Sequence, residues 1–315
     1  MIATTGSGKY EALLARCRGL DAVPTAVAHP CEETALAGAV EAGRLGLIRP
    51  ILVGPAGRIR ELASRHGIDI AALELVDAPH SHAAAERAVA LVRAGNAEIL
   101  MKGSLHSDEL LGAVLDGTAG LRTGRRLSHV FVMDVPTYHK VLVVTDGGIN
   151  IAPGLEEKAD ICRNAIDLVR TLGVGRPKVA VLAAVETVSS KMPATIDAAA
   201  LCKMAERGQI TGGLVDGPLA FDNAISADAA RTKGIESAVA GDPDILLAPD
   251  LEAGNMLAKQ LSFLARADSA GLVLGARVPI VLTSRADSVR SRIGSCAIAV
   301  LLAHERRSPV TPVGH

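Results

Sequence analysis

The sequence predicts an α/β fold built on a largely parallel sheet, and three observations predict it. Short apolar runs recur at 24–29, 50–54, 73–76, 98–101, 128–135, 140–145, 178–183, 244–248 and 279–283. Stretches with helical period separate most of them, as at 32–45, 82–94, 155–172 and 193–207. Hydrophobic residues make up 49% of the 315 positions but aromatics only 2%, so Ala, Val, Leu and Ile fill the interior. Strand and helix in alternation signal βαβ units, whose strands are covered on both faces and read as unbroken apolar runs. A chain of this length suits two such domains or one large one.

Each element has its local reason. The runs at 24–29 and 50–54 start at a proline, tolerated where a strand begins. The segment "HVFVMDVPTYHKVLVVTD" breaks the rhythm, because two apolar runs meet across "PTYH". It reads as a hairpin, and as the start of a second sub-domain. The last run, 279–283, leads through "TSRADS" into a long apolar helical pattern.

Bulk chemistry excludes several classes of function. The net charge is −1, and Arg122, Arg125 and Arg126 are the only tight basic group, so no nucleic-acid footprint is present. The scarcity of aromatics argues against platforms for stacked bases or sugars. The five cysteines, Cys17, Cys31, Cys162, Cys202 and Cys296, are odd in number and show no CxxC spacing. They read as reduced, mostly buried thiols of a cytoplasmic protein rather than as a disulfide framework. The N-terminal stretch lacks the apolar core of a signal peptide, and no apolar run reaches a membrane span.

In open α/β sheets, ligands collect at the carboxyl ends of strands. The loops to weigh are therefore "MKGSLHSDE", "VTDGGINIAPG", "LAAVETVSS", "LAPDLEAGN" and "LTSRADS". In the first, Lys102 adds charge, Gly103 allows close backbone approach, Ser104 and Ser107 are donors, and Ser107 suits an N-cap. His106 stands beside them, and a lone histidine is more often structural than catalytic. In the second, Thr145 and Asp146 precede two glycines. The plain reading is a glycine turn. Asp250, Glu252 and Asn255 in "PDLEAGNM" lack a His or Cys cluster, so no metal site is assigned. "TSRADS" reads blandly as an N-cap, by Asp287 or Ser288, plus a surface arginine. Its functional reading is an anion site made of helix amides and Arg285. "TTGSGKY" has the look of a phosphate loop but follows no strand and carries Tyr10 where Ser or Thr belongs. GxSxG and GxGxxG are both absent.

With these loops in view, the sequence resembles the phosphate acetyltransferase/phosphate butyryltransferase family. The segments that carry the match are "MKGSLHSDELLGAVL", "GLRTGRRLSHV", "DGGINIAPGLEEKADICRNAI", "VDGPLAFDNAIS", "DILLAPDLEAGNMLAKQL" and "GARVPIVLTSRADS". The fourth and last look closer to the butyryltransferase branch. The resemblance implies a two-domain, isocitrate/isopropylmalate dehydrogenase-like fold with a cleft between domains. The first domain would comprise 1–127 plus 271–315, and the second 128–270. It implies reversible transfer of a short acyl group, acetyl or butyryl, between CoA and inorganic phosphate by direct transfer in a ternary complex. Acyl-CoA, phosphate and acyl phosphate would be the partners, with no metal or tightly bound cofactor, in a homodimer.

On this resemblance Ser284 and Arg285 match the pair that binds the phosphoryl and carbonyl oxygens. An aspartate seven residues after the serine would be the base for the CoA thiol, and Ser291 holds that position here, which leaves Asp287 as the nearest carboxylate. Arg122 stands in for an arginine missing from the region of Gly112 and Ala113. Lys102, Gly103, Ser104, His106, Thr145, Asp146 and Asn255 complete the substrate-binding set. Two alternatives stand beside this reading: a metal- and NAD-dependent dehydrogenase of the same superfold, and a catalytically weak binder of acyl phosphates or CoA.

Overall fold

The computed structural model describes residues 8–284 and 286–307. In chain order its elements are α1 (Lys9–Arg16), β1 (Val23–Ala28), α2 (Glu33–Arg44), β2 (Ile48–Gly54), α3 (Ala56–Arg65), β3 (Glu74–Asp77), α4 (Ser81–Arg93), β4 (Ile99–Lys102) and α5 (Ser107–Leu115). Next come β5 (Ser128–Asp134), β6 (Leu142–Thr145), α6 (Leu155–Thr171), β7 (Lys178–Leu182), α7 (Pro193–Glu206), β8 (Leu214–Leu219), α8 (Phe221–Ile225), α9 (Ala227–Thr232), β9 (Ile245–Leu247) and α10 (Leu251–Phe263). The chain closes with β10 (Asp268–Leu274), β11 (Ile280–Val281) and α11 (Val289–Arg307).

Two compact units emerge. One is Tyr10–Arg125 with residues 270–307, and the other is residues 8–9 with Arg126–Ser269. Lys9 goes with the second unit because its ammonium donates to the Val135 and Tyr138 carbonyls at 2.9 and 2.6 Å and pairs with Asp134 at 3.0 Å.

In the first unit the strand order is β3-β2-β1-β4-β11-β10. All neighbours run parallel except β10 and β11. Apart from the edge strand β3, whose residues are exposed or half-buried, the strands are rich in apolar residues and largely buried, as strands of a covered parallel sheet must be. Helix α11 is buried continuously from Arg292 to Ala303, which marks it as a core helix, and it packs against α2.

In the second unit the order is β5-β6-β9-β7-β8. The β5–β6 pair is the antiparallel hairpin expected across "PTYH", with Met133 opposite Leu142. The remaining pairs are parallel. Met133, Leu142, Val144, Ala180 and Leu246 share the buried cluster of this unit.

Two strands differ from expectation. β8 contains Asp216-Gly217-Pro218 and β10 begins Asp-Ser-Ala-Gly, so both lack the apolar run that betrays the others. β11 is shorter than the run at 279–283, and Thr283 already belongs to the loop beyond it.

The strand starts of the second unit are pinned by charge. Asp242 takes Lys178 at 2.6 Å and Lys140 at 3.0 Å, and Asp244 takes the Lys178 amide and the Lys140 ammonium at 2.8 Å each. Burial acts to raise the Asp242 carboxyl, but hydrogen bonds from Lys178 and Lys140 outweigh it and bring it down to about 2. A depressed carboxyl stabilises the fold above its unfolded value, and that stability is lost as pH falls through about 2. Because the pairs are part-exposed and screened, Asp242→Asn should cost about 1 kcal/mol at pH 7. Thermal melts at pH 7 and pH 2 should show the difference from the parent protein at the first and not at the second.

Candidate active site

The register of the first unit places three strand ends side by side. Ala28 pairs with Lys102, and Val281 pairs with Met101. The chain leaving each strand therefore converges at one sheet edge: His29, Gly103-Ser104 and the 282–288 loop. Gly103 is dictated by that approach. A Cβ there would lie 2.4 Å from the Ala28 carbonyl oxygen and 2.5 Å from that of His29, closer than any side chain allows. The Ser104 hydroxyl donates to the His29 carbonyl at 2.8 Å and accepts from the Cys31 amide at 3.2 Å. His29 sits at φ 54°, a left-handed conformation that strains a non-glycine residue. Its carbonyl, held by the Ser104 amide at 2.9 Å, the Ser104 hydroxyl and the Cys31 amide, keeps it there.

The 282–288 loop is fastened from beneath by two buried cations. Lys102, 3% exposed, reaches the Thr283 carbonyl at 3.4 Å. Arg292, 1% exposed, donates to the Thr283 hydroxyl at 2.6 Å and to the Ser284 carbonyl at 3.1 Å. Above them Ser284 is exposed, and its amide donates to the Asp287 carboxylate at 2.6 Å. Its hydroxyl accepts the Ala286 amide at 3.3 Å. Arg285 lies outside the described residues. Of the two expected caps of α11, Ser288 does the work: its hydroxyl accepts the Ser291 amide at 3.2 Å, while Asp287 closes the loop. An exposed hydroxyl, a helix amino terminus and two buried cations together make an edge suited to an anion.

Among the residues expected at the site, Lys102, Gly103, Ser104, Ser284 and Asp287 come together on this edge. His106 is the exposed residue preceding α5, and its amide donates to Glu109 at 3.0 Å. It, and not Ser107, is the N-cap. Arg122 is exposed on the segment after α5.

Thr145, Asp146 and Asn255 belong to the second unit, where they build a loop of their own. The Thr145 hydroxyl donates to the His129 carbonyl at 2.9 Å. Asp146 accepts from the amides of Gly148, Ile149 and Asn150 and from the Asn150 side chain, the last at 2.6 Å. Asn255 donates to the Gly147 carbonyl at 2.9 Å. Gly254 is required beside it, since a Cβ would stand 2.3 Å from the Asp146 carbonyl oxygen. These side chains are spent on shaping the loop, so what they offer a ligand is its backbone. Asp250 is likewise committed, as the N-cap of α10 accepting the Ala253 amide at 2.8 Å.

All five cysteines are free thiols. Burial raises each of them, Cys17 to about 11 and Cys162, Cys202 and Cys296 to about 12. Protonated thiols of this kind are poor nucleophiles at neutral pH.

Sequence reasoning missed His29, Thr283 and Arg292. Arg292 left a signal: it shares the phase of Cys296, Ala299 and Ala303, all buried on α11, and a charged residue in a core phase asks for an explanation. His29 left only its place before a proline.

Known proteins are similar to this chain over most of its length. A family model described as "Phosphate acetyl/butaryl transferase" matches residues 81–300. A protein named phosphate acetyltransferase from Rhizobium meliloti is 63% identical over 95% of this chain and 95% of its own length. A phosphate butyryltransferase from Clostridium acetobutylicum is 40% identical over 93% and 98%. The crystal structure of a branched-chain phosphotransacylase from Enterococcus faecalis V583 superposes with a TM-score of 0.76 at 29% identity, covering 90% of this chain and 99% of that one. The lean toward the butyryl branch gains no support from these identities.

His29 offers a pH test. Burial, and then the charge of Arg58, lower its imidazole below the usual 6.5, against the smaller pull of Glu109 and Glu32. A depressed base resists protonation in the folded state only, so stability present above about 6.5 is lost as pH falls below it. The melting temperature should therefore drop between pH 7.5 and pH 5.5. The drop should shrink in His29→Asn, since Asn tolerates the left-handed backbone and carries no titrating group.

Proposed function

The chain belongs to the phosphate acetyl/butyryl transferase family, and on that premise we propose that it transfers a short acyl group reversibly between coenzyme A and inorganic phosphate. The overall reaction is acyl-CoA + phosphate ⇌ acyl phosphate + CoA. The observation that carries the reading is the 282–288 loop, where Ser284 is presented over Lys102 and Arg292 at the start of α11.

In this reading phosphate lies on the loop, and one of its oxygens attacks the thioester carbonyl. The carbonyl oxygen gathers negative charge as the tetrahedral intermediate forms. The Ser284 hydroxyl and the Arg285 guanidinium stabilise that oxygen and the phosphoryl oxygens, which is the role preorganised donors fill best. The C–S bond then breaks and CoA leaves as the thiolate. In the reverse direction the CoA thiol, near 8.5 when unperturbed, must lose its proton. Asp287 accepts it: one carboxylate oxygen holds the Ser284 amide, and the other makes no hydrogen bond among the described residues. Transfer is direct, in one ternary complex, and the raised thiols support this, because none offers a thiolate to carry the acyl group. Holding both substrates in line supplies much of the rate.

Lys102 supplies positive charge below the loop, and Gly103 and Ser104 hold the neighbouring turn against His29. His106 and Arg122 are exposed residues of the same unit and stay in the proposed substrate-binding set. Thr145, Asp146 and Asn255 contribute the shape of a second loop. The fold is read as the two-domain, dehydrogenase-like arrangement, and the protein as a cytoplasmic homodimer with no metal or tightly bound cofactor. No helix of the described residues is long and apolar enough to cross a membrane. The acyl group is acetyl or butyryl, on the names of the relatives.

The test is thiol release from a chain-length series of acyl-CoAs, with and without phosphate. Phosphate-dependent release from a short-chain substrate is expected, and its absence along the whole series would refute the proposal. Ser284→Ala should lower kcat/KM by about 10²–10³, the usual cost of one transition-state donor. Arg285→Ala should lower kcat and raise the phosphate KM together, and an unchanged kcat/KM would remove Arg285 from the site.

A further inference from the structure

Arg292 is a buried cation on α11 with no ion-pair partner among the described residues. Its guanidinium meets only neutral acceptors, the Thr283 hydroxyl and the Ser284 carbonyl. Its Nε makes no hydrogen bond. Asp287 and then Glu32 attract it from a distance, without hydrogen bonding to it among the described residues. A buried charge left in this state is expensive. The facing helix α2 also makes way for it: a Cβ on Gly38 would lie 2.7 Å from Arg292 Cδ and 3.1 Å from its Cβ. A neutral donor could hold one hydroxyl and one carbonyl without that cost, so clamping alone does not account for an arginine.

We propose that Arg292 is a positioning residue of the phosphate site: it fixes Thr283 and Ser284 from beneath, and its charge is completed when a phosphate anion settles on the loop above. This rests on the assignment of the 282–288 loop as the reacting centre. Arg292 does not touch the substrate, since its Nε is sealed from solvent and its two terminal nitrogens face the loop backbone and Thr283. It acts through the segment it holds, in a low-dielectric interior where a charge is felt across the loop. Phosphate binding and the charge at position 292 are therefore coupled, and acyl-CoA binding is not.

The experiment compares Arg292→Gln, Arg292→Lys and Ser284→Ala with the parent protein. It measures the KM of phosphate, the KM of acetyl-CoA, and the rise in melting temperature on adding inorganic phosphate. Glutamine keeps a donor for Thr283 or Ser284 and removes the charge. The expected result for it is a phosphate KM raised about tenfold or more, an acetyl-CoA KM within about twofold, and a lost phosphate-dependent rise in melting temperature. Arg292→Lys should recover most of the phosphate affinity. A phosphate KM unchanged in Arg292→Gln, or both KM values rising in parallel, overturns the inference. If Arg292→Gln fails to fold, Gly38→Ala decides: its methyl displaces the arginine, and a rise confined to the phosphate KM supports the coupling, while any other pattern overturns it. Ser284→Ala separates the two levels of argument. Full activity in that variant refutes the loop as the reacting centre, whereas loss of activity there with a parent-like Arg292→Gln refutes only the role of Arg292.

Discussion

The pairing of β4 with β11 is the constraint on which the site depends. It covers only two residue pairs, Ile280 with Leu100 and Val281 with Met101. Because parallel register carries both chains past the sheet edge together, Lys102 and Thr283 emerge as neighbours, with His29 from β1 on the far side of Lys102. A slip of one residue would turn Lys102 to the opposite face of the sheet and leave the loop without its lower support. Gly103 then turns the chain at once, under two carbonyls that admit no side chain. The geometry of Ser284 is thus inherited from backbone pairing deep in the sheet rather than from contacts made by Ser284 itself.

Charge is arranged in layers around that loop. Lys102 and Arg292 lie beneath it, α11 points its amino terminus at it, and Asp287 closes it through the Ser284 amide. The second unit uses its charges differently. There Asp242 and Asp244 tie lysines and strand amides at the strand starts, and Asp146 folds a loop around its own carboxylate. The same residue types tie strand starts in one place and hold the 282–284 segment in the other.

The parallel strands were legible because burial on both faces leaves unbroken apolar runs, and the "PTYH" hairpin was legible because it interrupts them. β8 and β10 were not, since Gly217-Pro218 and Ser269-Ala270-Gly271 look like turns until neighbouring strands accept them. At the site, Gly103 and the cap at Ser288 could be read from chain chemistry alone. Thr145 and Asp146 were located correctly at a strand end, but their side chains turn inward to shape the loop. Arg292 escaped because arginine is ordinarily a surface residue, and only the company it keeps along α11 marks it as buried.

The first unit is made of two pieces of chain separated by Arg126–Ser269, the main segment of the second. During synthesis β1 to β4 therefore emerge long before β11 and α11 exist. Until those last elements arrive, β4 is an open edge with unpaired amides and carbonyls, and the apolar face of α2 that receives α11 is bare. An open apolar edge of this kind invites pairing with other chains. The intervening unit can meanwhile form its own core, so the nascent protein passes through a stage with one finished half and one unfinished half. The loop that presents Ser284 is completed only at the end, so a truncated or stalled product lacks that loop and is prone to aggregate.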